Sequence, residues 1–281
     1  MESSSTNPLA KHFRQPKIYV KLPSEGRWYP KDALEMTKSG ELPVYAMTAA
    51  DELTLKTPDA LLNGQSTVDV IQSCVPNIKN GWAVPTVDLD FLLISIRQAT
   101  YGNGMDFFSM CPHCGTKNEN TIDLAAIKDT IVCADYKSTL TIDDLTFYFR
   151  PQDYSQFNQS SLENFEQQRL LSVVADTELD QDVKMAKFHQ MFNKLLRLTV
   201  DSIANSVAII KISDGTVVDN AEQISEFFNN CNKEVFDTVK KHIEKIGDAN
   251  PLKRVPIVCD NEECEKSYNT PLVFEQASFF G

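Results

Sequence analysis

Apolar residues recur along this chain at two spacings, and the switches between them mark its elements. From Asp88 to Thr100, Leu89, Leu92, Leu93, Ile96 and Ala99 fall three and four apart, which places them on one face of a helix. Tyr101-Gly102-Asn103-Gly104 follows as a helix-closing turn. Val235, Phe236, Val239, Ile243 and Ile246 repeat the pattern over 233–246, with Asn232 as cap and Gly247 as stop. Residues 155–201 predict two helices around the acidic Asp176–Asp182 turn, and 221–230 predicts another. In the second of the pair, Met185, Phe188, Met191, Phe192, Leu195, Leu196 and Leu198 form a broad stripe that reads as core. Short helices are expected at Ser66–Cys74 and after two caps. Thr48 has Asp51 as its reciprocal acid, and Thr57-Pro58 opens a helix that Gly64 stops.

Strict alternation marks strands. Leu145, Phe147 and Phe149 alternate with Thr146, Tyr148 and Arg150. Further strands are expected at 41–47, 119–122, 254–258 and 268–274, with a hairpin at 207–212 and 216–218 around Ser213-Asp214-Gly215. Residues 1 to about 15 show no period and predict disorder. Ile18–Pro30 is an aromatic-rich extended segment whose Trp28 and Tyr29 are candidate docking residues. Phe279 and Phe280 are candidates too, because adjacent aromatics at the chain end cost hydration unless they tuck in or insert into a neighbour.

The candidate chemistry lies in cysteines. Cys111-Pro112-His113-Cys114-Gly115 is a tight Cys-x-x-Cys turn, and Cys259 and Cys264 form a looser pair downstream. Four thiolates suit one tetrahedral Zn2+ with no position left for water, so the metal is expected to be structural, with His113 a bystander. Residues 115–258 intervene. Closing that loop costs roughly 5 kcal/mol, which a four-thiolate zinc site at an apparent ~10–16 kcal/mol outweighs. A redox pair would want a βαβ setting, and the run before Cys111 is instead extended. The odd count of seven cysteines also argues against a disulfide framework.

These features give an α+β expectation: a small helical N-terminal region packed on a zinc ribbon, with a mostly helical insertion between the ribbon halves. The expected parts are a disordered arm at 1–17, an extended arm plus helical region at 18–104, the ribbon and associated strands at 105–150 and 251–281, and the insertion with its hairpin at 151–250. At 281 residues and 42% apolar, the chain can bury one large core or two smaller ones. No run of about 18 apolar residues predicts a membrane span, and the polar N-terminus does not read as a signal peptide. The net charge of −12 repels phosphate backbones, although the first 31 residues are basic. Nucleic acid is therefore not an expected partner, and a zinc-ribbon adaptor of nucleic-acid machinery is the alternative reading. Neither a phosphate loop nor a nucleophile elbow is present, and a metal-dependent hydrolase needs an open zinc position. No enzyme activity is expected.

Several stretches in order resemble the phage base plate protein family, the baseplate hub and hub-assembly proteins of T-even-like contractile-tailed bacteriophages. They are Leu22-Pro23-Ser24-Glu25-Gly26, Gly40-Glu41-Leu42, Met47 to Glu52, Thr57 to Leu62 with Gly64, Tyr101-Gly102, the Cys111–Gly115 turn and Phe279-Phe280-Gly281. The resemblance covers about 18–125 and returns at the C-terminal end. It implies a hetero-oligomeric role in the central hub of the tail baseplate, with hub, spike and tape-measure proteins as partners. It further implies a place in the virion after assembly in the host cytoplasm, and no catalysis.

Overall fold

The computed structural model describes residues 8–56, 64–174, 181–248 and 255–270. In chain order, β1 (Pro16–Val20) and β2 (Leu42–Tyr45) form an antiparallel pair, followed by α1 (Ala49–Leu55), α2 (Gln65–Cys74) and α3 (Thr86–Tyr101). The hairpin β3 (Gly104–Met110) and β4 (Lys117–Asp123) leads to α4 (Leu124–Thr130). Next come β5 (Thr139–Ile142), β6 (Leu145–Phe149), α5 (Tyr154–Val174) and α6 (Gln181–Asn205). The chain continues through β7 (Val207–Ile212), β8 (Val217–Val218), α7 (Ala221–Asn230) and α8 (Lys233–Asp248) to the hairpin β9 (Val255–Val258) and β10 (Ser267–Thr270). The fold is α+β. No helix among the described residues is long and apolar enough to cross a membrane.

The first core is built around α3. The sequence predicts one apolar face there, but the helix buries nearly its whole circumference from Asp88 to Ile96, because β1, β2, α2, α4 and α5 all contact it. Phe91 and Ile94, off the predicted face, are buried with the rest. A carboxylate sits inside this core as well. Asp88 accepts the Ser24 N–H at 2.8 Å, the Ser24 hydroxyl, and the Tyr29 hydroxyl at 3.0 Å, so the arm is pinned to the first turn of α3. Burial pushes the Asp88 carboxyl up to about 6 against the lowering pull of those bonds, and burial alone pushes Asp90 to about 6.

The arm is ordered further toward the N-terminus than residues 1–17 were expected to be. Pro8–His12 is a 3-10 turn, and Arg14 donates to the carbonyls of Ala46 and Ser73 at 2.7 Å each while pairing with Asp51 at 3.3 Å. A guanidinium with several fixed acceptors holds a polar segment that periodicity cannot reveal. The Thr48–Asp51 capping box forms as expected. The helix expected at Thr57-Pro58 lies outside the described residues, and Gly64, with φ of 76°, is the N-cap of α2.

The second core lies under a four-stranded antiparallel sheet in the order β5-β6-β7-β8, covered by α6, α7 and α8. Phe147 is fully buried, with ring centroids 6.1 Å from Phe227 and 6.2 Å from Phe228. The strand at 145–149, grouped with the ribbon from its place in the chain, in fact joins this second core. Its alternating face matches β7, which leaves no register for pairing with the cysteine hairpins. Tyr154, at the start of α5, joins the first core, donating its N–H to the Val84 carbonyl at 2.8 Å and stacking on Trp82, and Trp28 of the arm packs edge-on against Tyr136 of the second core at 5.3 Å.

Asp88 and Asp90 titrate above the roughly 4 of an unfolded carboxyl, so the fold favours their neutral forms. The stability they lend is complete below about pH 4 and is lost as pH rises through about 6. Asp90 has no hydrogen-bond partner among the described residues. Asp90→Asn should therefore melt above wild type at pH 7.5, by about 1 kcal/mol after allowing for solvent, and match it near pH 4. Equal melting at both pH values would show the carboxylate to be ordinarily solvated.

Candidate metal centre

The hairpins β3–β4 and β9–β10 are two-stranded sheets with no ladder between them, and each alone is too small to be stable in water. They close on a small core of Cys111, Ile257, Cys259 and Tyr268. At its end the four sulfurs of Cys111, Cys114, Cys259 and Cys264 lie within 4.8 Å of one another. Cys111 and Cys264 are 3.9 Å apart, and Cys114 and Cys259 are 3.5 Å apart. A tetrahedron with metal–sulfur bonds of about 2.3 Å has edges of about 3.8 Å, whereas a disulfide needs about 2.05 Å. The spacing fits a shared metal ion, and all four thiols are free. Residues 145 and 153 positions apart thus meet here through two local turns.

The turns share one design. In the first, Gly115 donates its N–H to the Cys111 carbonyl at 2.9 Å, and Cys111 donates its own to Thr116 at 2.9 Å. In the second, Glu265 donates to the Asn261 carbonyl at 3.0 Å, and Cys259 donates to Lys266 at 3.1 Å. Cys264, Glu265 and Lys266 therefore occupy the places of Cys114, Gly115 and Thr116. The longer spacing comes from extra residues after Cys259, with Asn261 standing where the Cys111 carbonyl would be. Both turns need a left-handed residue, and Gly115 (φ 74°) adopts it freely where Glu265 (φ 43°) is strained.

Backbone N–H groups point at the sulfurs: Thr116 at Cys114, Asn261 at Cys259 and Lys266 at Cys264. Such donors stabilise thiolates. Cys114 Sγ also lies 3.3 Å from the Thr116 hydroxyl, and with that bond leading, its thiol is pulled down to about 6. Cys259 goes the other way. The Asn261 N–H acts to lower it, but burial and the crowding sulfurs outweigh that bond and push it up to about 12. Without a counter-charge, close sulfurs oppose one another's ionisation, and a dication reverses that balance.

Sequence reading located the four cysteines and left out the polar residues that lock the hairpins together. Tyr268 shares a 2.6 Å hydrogen bond with Ser109 and accepts from Asn118 Nδ2 at 2.9 Å, while Asn118 Oδ1 accepts the Asp260 N–H at 2.8 Å. Asn118 and Ser109 are buried cross-strand partners. The available signal was alternation, since Ser109 falls in phase with the inward-facing Met105 and Phe107. His113 is exposed and outside the donor cluster. Trp28 and Tyr29 are half-buried in the chain's own packing, and Phe279 and Phe280 lie outside the described residues.

The corresponding places of Gly115 and Glu265 carry a test. Gly115→Ala should lower stability by about 1 kcal/mol, and Glu265→Gly should raise it by about 0.5 kcal/mol as relieved strain outweighs chain entropy. Thermal unfolding of the two variants checks the opposite signs.

A family model described as T4 bacteriophage base plate protein matches residues 16–281. The match runs through 150–250, where residue-level resemblance had found nothing. No curated protein and no solved structure matches the chain.

Proposed function

Since the chain belongs to the T4 bacteriophage base plate protein family, we propose that it is a structural or assembly component of the central hub of the tail baseplate. It docks on other hub and tail proteins, spike and tape-measure proteins among them, is assembled in the host cytoplasm, and takes no catalytic part. The observation that carries this reading is the extent of the family match, which spans both cores and both cysteine hairpins. The four cysteines hold one Zn2+ as a closed zinc ribbon. Soft donors, near-tetrahedral spacing and N–H groups aimed at the sulfurs support that assignment. In this reading the ion supplies positive charge and a cross-link, while Asn118 and Tyr268 orient the hairpins that present the sulfurs.

Purified protein should contain one zinc per chain, with four thiols protected until a chelator is added. Cys111→Ser or Cys114→Ser should collapse the folded state, because the metal contributes far more than the marginal stability of a domain. Cooperative unfolding and full solubility retained in those variants would refute the structural zinc.

The baseplate role is tested in the phage that encodes the chain. Removing the gene should arrest baseplates before the hub is complete, and supplying the protein in trans should restore them. Normal baseplates without it would overturn the assignment. Mass spectrometry of finished tails then separates a component that stays from a helper that leaves.

A further inference from the structure

A cavity of about 390 Å³ lies where the first core faces the second. Val87 and Asp90 line it from the first turns of α3, Tyr136 from the loop before β5, Phe149 from the end of β6, and Ile243 and Ile246 from α8. Its volume falls within the range of small-molecule sites, which favour seams between folded units. Phe149 and Ile246 are buried, so the wall is apolar, and Phe157, 46% exposed, marks the mouth. Against that wall the fold sets one carboxyl group. Asp90 is the one acid among the lining residues and Arg150 the one base, and they do not pair. The Arg150 Nε donates to the Asn205 carbonyl at 3.0 Å, and among the described residues Asp90 has neither a hydrogen-bond donor nor a neighbouring cation.

We propose that this cavity binds an organic cation, a single ammonium group on an apolar body, with the ammonium against Asp90. A buried carboxylate without a partner works against the fold, and asparagine would keep its shape without its charge. Groups that lower stability in this way gather at binding sites. At pH 7.5, above the value of about 6 to which burial pushes it, Asp90 is ionised, and a ligand ammonium supplies the counter-charge that the chain does not. The rings of Tyr136, Phe149 and Phe157 suit both a cation and its hydrocarbon body. Other classes fit less well. An anion meets the Asp90 carboxylate, and a hard metal ion wants several carboxylates where the lining has one. A second ammonium on the same ligand finds Arg150 in place of another acid, so a monoamine is favoured over a diamine.

Two sources share this chemistry, a free amine and the lysine side chain of a neighbouring chain. Lysine lays an apolar stem along such a wall and brings its ammonium to the acid. The lysine source would make the cavity a docking point for another tail protein and so rests on the baseplate reading, whereas the free amine does not.

Calorimetric titration of the full-length protein at pH 7.5 tests the site with three probes: phenethylamine, 2-phenylethanol and N-acetyl-lysine N-methylamide. At least one of the two amines should bind with a Kd on the order of 1 mM, ordinary strength for so few atoms. The tighter of them identifies the source. The alcohol, with the same body as phenethylamine but no charge, should bind at least about tenfold more weakly. Asp90→Asn, which should fold and melt above wild type, should weaken the amine by at least about tenfold as well. Phe157→Ala, at the exposed mouth, should weaken it by about threefold through lost apolar contact. No amine binding at about 10 mM, or binding that Asp90→Asn or removal of the ligand's charge leaves unchanged, would overturn the proposal. The titration needs only purified protein, so it can fail while the baseplate role stands, and the reverse.

Discussion

Two hairpins of four to seven residues per strand, joined by no ladder, must be held together by something other than backbone hydrogen bonds. Here it is the convergence of four sulfurs and a few buried polar atoms. Because the hairpins enter the chain on either side of the second core, their closure fixes the whole connectivity. The segment from β5 to α8 becomes a loop, in topological terms, anchored at both ends. That loop folds on its own sheet, so most of the cost of closing it is met by the core it contains.

The molecule divides its polar interactions by purpose. Buried charge is used where an extended segment must be seated: Asp88 takes three hydrogen bonds from the arm, and Arg14 spreads its donors over Ala46, which follows β2, and over α1 and α2. Neutral polar atoms are used between the cysteine hairpins, where Asn118 satisfies both a side chain and a backbone N–H. A carboxylate in that position would add negative charge beside four acidic thiols. Asn118 gives the geometry without the repulsion.

Much of this was legible from residue order. Helix periods, the Thr48 cap and the Ser213-Asp214-Gly215 turn are local signals, and the structure bears them out because each depends on neighbours within a few positions. The four cysteines were found for the same reason, as motif spacing. What escaped depends on distant partners. β6 alternates in the same manner whichever sheet it joins, and only β7 decides the matter. Helix α3 carries an amphipathic pattern that five surrounding elements override. The ordered arm rests on Arg14, a residue that reads as solvent-exposed until its acceptors are known. Short elements such as α4 and β5 were missed because four to seven residues hold too few periods to register.

The separation of the two cysteine pairs also imposes an order in time. Cys111 and Cys114 leave the ribosome before any of the second core exists, and Cys259 and Cys264 follow it entirely. At the usual pace of synthesis the gap is on the order of 10 s, long enough for the first core and the sheet to form while the early pair waits for its partners. The second pair then arrives at a scaffold already shaped, so the cysteine cluster is the last piece to close. Its closure marks a chain whose two cores have both been made.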